Sequence, residues 1–385
     1  MRIAFYAPLK SPRHPRPSGD RAIARLFIEA FERGGHTVEL ASEFRSREGN
    51  GDEFLQKRLR DVGQRLGRRL ARRLLARPLS ERPAVWFTYH LYYKAPDWIG
   101  PAVARALDIP YIVAEASFAP KRDRPPWQMV HRAVGETIAG ADAVVALNND
   151  DVPCLLPLFG GDQSRIHHIP PFMDVRRFAR MPGKREHHRA CMAATYGLDA
   201  DATWLIAVGM MRYDKLASHT MLAEALSALM GEPLPPWQLL VIGDGQTRAE
   251  VEASMAALGE RVKCLGLLQP DALAGCLKAA DLYVWPGVNE AFGMAFLEAQ
   301  ACGLPIVAGR TRGVPDVVAH GVTGVLTELS ARGVADGIRT LLAEPQRRQQ
   351  LAARAAAHVL ARHDLAAAGA QLNVLLRQLT TEAQR

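Results

Sequence analysis

NEAFGMAFLEAQACG, at residues 289–303, is the stretch that decides the fold, because it joins a loop to a helix behind a short apolar run. That run, DLYVWP at 281–286, predicts a buried strand. Helix propensity rises from Met294 and ends at Gly303. The loop at 287–292 would therefore follow the carboxyl end of the strand, which is the edge where open α/β sheets bind ligands.

Two carboxylates, Glu290 and Glu298, flank the start of this helix. The free amides of Phe292, Gly293 and Met294 would favour an anion such as a diphosphate. An ionised carboxylate only accepts hydrogen bonds, so each glutamate would accept hydrogen bonds from the hydroxyl groups of a polyhydroxylated ligand. The pattern predicts a sugar-nucleotide site, with Glu290 at the sugar and Glu298 at the ribose. Alternatively, Glu290 caps the helix and Glu298 is a solvated surface residue.

The composition is that of an ordinary α/β protein. The 385 residues are 48% apolar and 7% aromatic, which is enough core for two domains. Five scattered cysteines without a CxxC pair indicate reduced thiols in the cytoplasm. The opening MRIAFYAPLK reads as a strand, and no apolar run approaches the roughly 18 residues of a membrane span. We therefore expect neither export nor a spanning segment.

The formal charge of +8 is concentrated in one segment, residues 45–82, with twelve Lys or Arg against five Asp or Glu. Apolar residues recur there at helical spacing, which predicts a basic amphipathic helix over 54–77. Such a helix could lie on an anionic membrane surface or contact an anionic acceptor, or its leucines could face the domain core. Nucleic-acid binding is disfavoured, since no recognition motif accompanies the charge.

The strand and helix pattern begins again near the middle of the chain. A polar, basic stretch at 180–189 separates the halves, so we expect an N-terminal domain over 1–178, a second domain over 179–365 and a C-terminal helix over 366–385 that could pack back on the first domain. A helix is predicted at 21–33 in the first half and at 216–230 in the second. Strands are predicted at 84–88, 110–114, 143–147 and 166–169, and then at 203–208, 237–242, 262–265 and 281–286.

Several motifs resemble those of the retaining glycosyltransferases of family 4, the glycosyl transferases group 1, over almost the whole chain. They are GGHTVEL, IPPFMDVRRF, VGMMRYDK, VIGDGQTR, VKCLGLLQPDAL and, most specifically, EAFGMAFLEAQACGLPIVA with GVPDVVAHGVTG. The resemblance implies the GT-B fold, two Rossmann-like α/β/α domains facing each other across a cleft. It also implies a cytoplasmic hexosyltransferase that moves a sugar from a UDP- or GDP-sugar to a hydroxyl acceptor on the first domain, in synthesis of a cell-surface polysaccharide, glycolipid or glycoconjugate.

The resemblance also implies roles for individual residues. Arg212 and Lys215 would neutralise the donor diphosphate, rather than being surface cations. Gly19 would let the backbone approach the diphosphate, unless it is an ordinary turn glycine. His90 would lie near the acceptor or the donor sugar, unless it is structural. The catalytic set would be Glu290, Arg212, Lys215 and His90, and the donor-binding set Gly19, Gly209, Gly243, Leu265, Leu267, Ala291, Phe292, Gly293, Met294 and Glu298.

One region departs from the family pattern, which often has another histidine after the third or fourth strand. Here the chain reads IVAEASF, so Glu115 or Ser117 would take that place, or this subgroup works without it. The implied mechanism is front-face departure of the nucleotide, in which the diphosphate helps deprotonate the acceptor, with no cofactor and no metal. The DAD at 199–201 is interpreted as a turn, and the histidine pairs at 167–168 and 187–188 as exposed loop residues.

Three other functions remain to be weighed. A related GT-B sugar-phosphate synthase or phosphorylase is one, although no motif suggests the lysine that a phosphorylase needs for pyridoxal phosphate. A dinucleotide oxidoreductase would need GxGxxG after the first strand, where the chain reads APLKSPRHPRPSGD. A catalytically silent sugar-nucleotide-binding protein is suggested by the altered IVAEASF region.

Overall fold

The computed structural model describes residues 1–16, 18–179 and 182–382. The chain divides into two compact units. Unit 1 comprises Met1–Pro170 together with Leu365–Arg385, and unit 2 comprises Pro171–Asp364. The chain thus leaves unit 1 at Pro170, before the boundary at residue 178 that the composition predicts.

Unit 1 is built on a six-stranded sheet in which every neighbouring pair of strands is parallel. The strand order is β2-β1-β3-β4-β5-β6. Most of these strands are continuous apolar runs because helices cover both faces of a parallel sheet. Their bounds are β1 Arg2–Tyr6, β2 Thr37–Ser42, β3 Val85–Leu91, β4 Tyr111–Ala116, β5 Ala143–Ala146 and β6 Ile166–His168.

The first helix shows how the sequence covers this sheet. Helix α1 begins at Gly19 because the Ser18 side chain accepts a hydrogen bond from the backbone N–H of Arg21. Its Phe31 ring then packs on Phe87 of β3, with ring centroids 4.9 Å apart. The helices of unit 1 before the crossover are α1 Gly19–Arg33, α2 Glu53–Leu75, α3 Gly100–Leu107, α4 Gln128–Ala139 and α5 Val152–Leu155.

Helix α2 confirms the predicted basic helix, but glycines make its closest packing contacts. A Cβ at Gly63 would lie 2.5 Å from the Cβ of Trp98, so only glycine allows the observed approach. Leu55, Leu66 and Leu75 remain 38%, 36% and 41% exposed. The interpretation that all the leucines face the core is therefore wrong for these three.

Unit 2 repeats the architecture with a second six-stranded parallel sheet. The strand order is β12-β11-β10-β7-β8-β9, so β10 and β7 lie side by side at the point where the order reverses. The bounds are β7 Thr203–Val208, β8 Trp237–Ile242, β9 Val262–Gly266, β10 Leu282–Trp285, β11 Ile306–Gly309 and β12 Gly324–Thr327. The predicted doubly wound α/β class with two parallel sheets is confirmed.

Nine helices are described in unit 2, and α8 begins and ends slightly earlier than the predicted 216–230. Histidines 187 and 188 lie in helix α7, and histidines 167 and 168 lie in strand β6, so their assignment to loops is wrong. The helices are α6 Arg176–Ala179, α7 Arg185–Tyr196, α8 Tyr213–Ala228, α9 Arg248–Met255, α10 Pro270–Ala279, α11 Met294–Ala301, α12 Val314–Val317, α13 Ala331–Ala343 and α14 Pro345–Arg362.

The last helix, α15 Leu365–Glu382, belongs to unit 1, where it packs against α1. A Cβ at Gly369 would lie 3.4 Å from the Ala30 carbonyl oxygen, which shows how closely the two helices approach. The Asn373 amide oxygen lies 2.7 Å from Nε2 of His36. Among the helices of the described residues, none combines the length and the apolar character needed to cross a membrane.

Candidate functional site

Glycines shape the carboxyl ends of β7 and β8 in unit 2. A Cβ at Gly209 would lie 2.7 Å from the Trp285 ring. Gly243 has φ 143° and would place a Cβ against the carbonyl oxygen of Gly209. The two turns can therefore pack together only because Gly243 has no side chain, and the absence of a side chain at Gly209 leaves room for the Trp285 ring. The predicted donor-binding residues Gly209 and Gly243 lie beside each other at this edge.

The loop between β10 and α11 adopts left-handed backbone at three positions: Gly287 with φ 76°, Asn289 with φ 57° and Gly293 with φ 74°. A Cβ at Gly293 would lie 2.6 Å from the Phe296 ring, so glycine is required there. Helix α11 then begins at Met294 without a side-chain cap. The Phe296 amide donates to the Gly293 carbonyl oxygen at 3.1 Å, so within the described residues it is the amides of Met294 and Ala295 that are left for another acceptor.

Lys215 and Glu290 meet at this helix start, although they lie 75 residues apart in the chain. Lys215 Nζ donates a hydrogen bond of 2.6 Å to Oε2 of Glu290, and the two side chains are only 16% and 18% exposed. Sequence reasoning named both residues but did not pair them. The ammonium of such a half-buried ion pair can leave its carboxylate to contact a more highly charged anion.

Arg212 is turned toward a different partner in this structure. It immediately precedes α8, and its Nη2 donates to Oδ2 of Asp214 at 2.8 Å. Both side chains are exposed, so the pair is weak and the guanidinium can be recruited by a ligand. Lys215 follows three residues later on the first turn of the same helix.

Glu298 lies one turn after Met294 on α11. Burial raises the pKa of its carboxyl to about 7, and the charge of Arg177 only partly opposes this shift. Its side chain makes no hydrogen bond within the described residues. Such a carboxyl differs from the solvated surface glutamate that was the alternative, and it suits a ligand that brings hydroxyl groups.

Large apolar side chains stand exposed after the ends of β7 and β9. Leu267, one of the predicted donor-binding residues, is 77% exposed and follows Gly266, which has φ 70°. Met210 and Tyr213 are 52% and 71% exposed, and sequence reasoning missed them. Their signal was an apolar residue directly after the glycine that ends β7. Exposed apolar groups beside a polar site are typical of a surface that a ligand covers.

A buried histidine of α8 packs against the end of β10 at this edge. His219 on α8 is fully buried and packs edge-on against Trp285, with ring centroids 4.8 Å apart. Burial lowers its pKa to about 4, so the ring is neutral near pH 7. The neighbouring Ser218 hydroxyl accepts a hydrogen bond of 2.9 Å from the backbone N–H of Val288. Helix α8 thereby positions the loop that carries Glu290, a contact that the sequence did not reveal.

The corresponding edge of unit 1 carries titratable side chains. His90 Nδ1 lies 3.0 Å from Oδ1 of Asp20 and 3.9 Å from Oε1 of Glu115. Ser117 Oγ lies 3.4 Å from each carboxylate oxygen of Asp151. The predicted residues His90, Glu115 and Ser117 therefore lie at the ends of β3 and β4, whereas Asp20 was missed.

The structure also shows the surroundings of Gly19 and of the DAD run at 199–201. Gly19 is the first residue of α1, and a Cβ there would meet no atom within 4 Å, so the fold itself does not require glycine at this position. The DAD run lies in a turn before β7, where the Asp199 side chain accepts from the backbone N–H of Asp201 at 2.9 Å. Across residues 1–16, 18–179 and 182–382, no three His, Cys, Asp or Glu side chains form a group that could hold a metal ion.

The family described as "Glycosyl transferases group 1" matches residues 202–344. A D-inositol 3-phosphate glycosyltransferase of Xylanimonas cellulosilytica is 31% identical over 299 residues, covering 73% of this chain and 70% of the relative. One from Frankia alni is 30% identical over 297 residues, covering 72% and 70%.

Solved structures share the fold at low sequence identity. Anabaena HepE, solved in complex with UDP, has a TM-score of 0.75 and 19% identity, and the match covers 98% of this chain and 100% of that one. Sucrose-phosphate synthase from Thermosynechococcus elongatus has a TM-score of 0.71 and 20% identity, with 99% of each chain covered. The common architecture is the GT-B fold, in which both units are Rossmann-like.

Proposed function

Since the chain belongs to the glycosyl transferases group 1, we propose that this glycosyltransferase moves a sugar from a UDP- or GDP-sugar to a hydroxyl acceptor with retention at the anomeric carbon. The observation that carries the proposal is the Lys215–Glu290 pair at the uncapped start of α11. It sets a cation, a carboxylate and free amides at one strand end. A sugar diphosphate offers a partner to each of them.

Donor binding would rearrange the charges in unit 2. The diphosphate competes for the Lys215 ammonium, and Arg212 leaves its exposed pair with Asp214 to contact the same phosphates. Glu290 is then free to accept a hydrogen bond from a sugar hydroxyl. Glu298 would bind the ribose hydroxyls, and Leu267 would lie against the base. The protein in this scheme orients the donor and neutralises the leaving group.

The transfer step needs no protein base. The bond from the anomeric carbon to the phosphate oxygen breaks, and the acceptor oxygen forms its bond on the same face. The acceptor proton passes to the departing phosphate oxygen, so the products are the glycoside and a nucleoside diphosphate. We propose that transfer requires neither a cofactor nor a metal, because cations and helix amides supply the charge that a metal would supply. Unchanged turnover in the presence of a chelator is the expected result.

Comparison proteins suggest the acceptor class. Curated relatives are named for D-inositol 3-phosphate, and one structural relative, WaaG, with a TM-score of 0.63 and 15% identity, is described as a glycosyltransferase involved in lipopolysaccharide biosynthesis. We propose that this chain acts in synthesis of a cell-surface polysaccharide, glycolipid or glycoconjugate. A sugar-phosphate synthase is the alternative enzyme, since sucrose-phosphate synthase shares the fold. A catalytically silent sugar-nucleotide-binding protein is the alternative without turnover.

A donor screen tests the proposal. UDP, GDP and ADP sugars are compared by thermal unfolding, where a ligand at 100 times its Kd stabilises the folded state by about 2.7 kcal/mol. The best donor is then offered sugar, lipid-linked and sugar-phosphate acceptors while nucleotide release is measured. Stabilisation with turnover on a hydroxyl acceptor is expected. Stabilisation without release in any mixture would indicate the silent binding protein, and turnover only with a sugar phosphate would indicate the synthase.

We also propose that α2 rests on an anionic membrane surface, as in a cytoplasmic protein held at the inner face. Its exposed arginines include Arg68, Arg69, Arg72 and Arg73, and none of these four forms an ion pair within the described residues. Phe54, at the start of the helix, is 77% exposed. Unpaired cations beside exposed apolar groups suit anionic headgroups and the boundary of the acyl chains.

Liposome co-sedimentation tests the membrane proposal. Reversal of the four arginines to glutamate should abolish binding to vesicles that contain anionic lipid, while vesicles of neutral lipid bind neither protein. The control reverses Arg347 and Arg354 on α14, which should leave binding unchanged. Equal sedimentation of wild type and of the α2 variant would remove the membrane role.

A further inference from the structure

His90 lies at the end of β3, beside two carboxylates. Its Nδ1 is 3.0 Å from Asp20 on the first turn of α1 and 3.9 Å from Glu115 at the end of β4. His90 and Glu115 both have left-handed backbone, with φ 61° and φ 55°, which residues other than glycine rarely adopt. This backbone brings the two side chains together at neighbouring strand ends.

The two ring nitrogens of His90 have different surroundings. Nδ1 is taken up by the Asp20 carboxylate. Nε2 makes no hydrogen bond within the described residues, and the side chain keeps 17% of its surface open to solvent. Because Nδ1 is already engaged, Nε2 is the nitrogen that a substrate can reach.

The charges around the imidazole favour its protonated form. The facing groups are Asp20 from α1, Glu115 from β4, Asp151 from the loop after β5, and the rings of Tyr89 and Tyr92. Burial alone would lower the pKa of His90, but the three carboxylates outweigh burial and raise it.

His90 in turn affects the pKa values of Asp20 and Glu115. Burial opposes ionisation of Asp20, yet the hydrogen bond and charge of His90 leave its pKa lowered. Lys10 also faces Asp20 and acts in the same direction. Burial raises the pKa of Glu115 although the charge of His90 works against it. Within the described residues, Oε2 of Glu115 is buried without a hydrogen-bond partner, and His90 places positive charge 3.9 Å from Oε1 of the same carboxyl. Asp20 and Glu115 therefore both act on the imidazole, Glu115 through its charge and Asp20 through the 3.0 Å contact and its charge.

We infer that Asp20 and Glu115 are positioning residues that hold His90 as an imidazolium, so that its Nε2–H donates a hydrogen bond to a substrate hydroxyl oxygen during transfer. This rests on the proposed glycosyl transfer. An imidazolium has no free lone pair, so His90 does not act as the base that removes the acceptor proton. Asp20 and Glu115 thus act through His90, which works in its charged form.

Titration of His90 by proton NMR in the full-length chain tests the charge state without turnover. The His90 signal is assigned by its loss in His90→Asn. In the wild type, the pKa of His90 should lie above the ordinary value of about 6.5, and Asp20→Asn should lower it by about one unit. Glu115→Gln should lower it in the same direction. The matched control is Asp123→Asn, since Asp123 is an exposed residue of unit 1 paired with Arg132.

The pH dependence of kcat/KM, measured with the donor from the screen, tests whether His90 acts as an imidazolium during transfer. We expect the rate to fall as pH rises through the pKa of His90, and this alkaline limb should move to lower pH by about one unit in Asp20→Asn. The Asp123→Asn control should keep the wild-type limb. If the rate instead rises as pH passes through the pKa of His90, His90 acts as a base and the inference is overturned. The inference is also overturned if Asp20→Asn leaves the alkaline limb at its wild-type pH, or leaves the pKa of His90 measured by NMR unchanged. A raised, Asp20-dependent pKa in a protein that turns over no nucleotide sugar would contradict the proposed function instead.

Discussion

The carboxyl ends of the strands carry different chemistry in the two units, although both sheets have six parallel strands. In unit 2 the edge is made of glycine turns, an uncapped helix start and the Lys215–Glu290 pair. In unit 1 the edge carries Asp20, His90 and Glu115, and His90 lies 3.0 Å from the Asp20 carboxylate. One edge offers backbone amides and cations, and the other offers a histidine among carboxylates.

This difference reflects the ligands that each edge suits. A diphosphate is bound by amides and fixed cations, and amides reach it only where side chains are absent, so glycine is used. A hydroxyl group is recognised by side chains that donate or accept in a fixed direction, so titratable groups are used. We therefore propose that unit 2 holds the donor and that the edge of unit 1 serves the hydroxyl side of the reaction.

The largest expected effect concerns the ion pair of unit 2. Lys215→Ala and Glu290→Ala should each lower kcat by about 10²-fold or more, because charge on the leaving group and orientation of the sugar are both lost. The exposed unit 1 lysine provides the control, Lys121→Ala, with unchanged kcat. Because the two side chains form one pair, the double variant should lose much less than the product of the single losses. Full turnover in either single variant would remove the donor site from this edge.

A comparison of two glycines sharpens the contrast. Gly293→Ala combines φ 74° with a Cβ placed 2.6 Å from the Phe296 ring, so it should lower the free energy of unfolding by about 1–3 kcal/mol and weaken donor binding. Gly19→Ala has open space and should leave the free energy of unfolding within about 0.5 kcal/mol of wild type. Denaturant unfolding measures both. If Gly19→Ala nevertheless loses donor affinity, the need for glycine there comes from the ligand; equal stability of the two variants would contradict the packing argument.

The last expected effect concerns stability rather than turnover and is the pH dependence due to Glu298. Its pKa in the folded protein, about 7, lies above the ordinary value of 4.5. Folding therefore favours the neutral carboxyl of Glu298. Its contribution to the free energy of unfolding is fully present below pH 4.5 and is lost as pH rises from 4.5 through 7. Glu298→Gln should remove this loss and raise the free energy of unfolding at pH 8, by at most about 3 kcal/mol. Parallel stability curves for both proteins between pH 5 and 8 would show that the carboxyl is solvated.

Local patterns in the sequence predicted most of the strands of both units, but not the pairs of side chains that meet at the strand ends. The strand at 281–286 and the helix from Met294 follow from apolar runs and from Gly303, and both are confirmed. The pairing of Lys215 with Glu290 did not follow, because it depends on how β7 and β10 lie side by side. The same holds for Asp20 and His90, which are 70 residues apart and meet only through the packing of α1 on β3.

Burial does not follow leucine periodicity in two helices, α7, which was mispredicted, and α2, which was predicted. In α7 no residue is fully buried, so the apolar pattern that would reveal a helix around His187 and His188 is missing. In α2 the periodicity predicted the helix, but Gly63 and Gly67 make close contacts with residues 98 and 99 and leave some leucines exposed. A glycine in a helix gives no apolar signal, so its role in packing becomes visible only in the structure.

The anomeric configuration of the first product tests the central claim most directly. The claim is that the donor's own phosphate takes the acceptor proton while unit 2 orients the sugar, which places bond breaking and bond formation on one face. Proton NMR of the glycoside formed from the donor of the screen, recorded before any later equilibration, gives the configuration from the anomeric coupling. Retention of the donor configuration is the predicted result, and an inverted product would contradict the account.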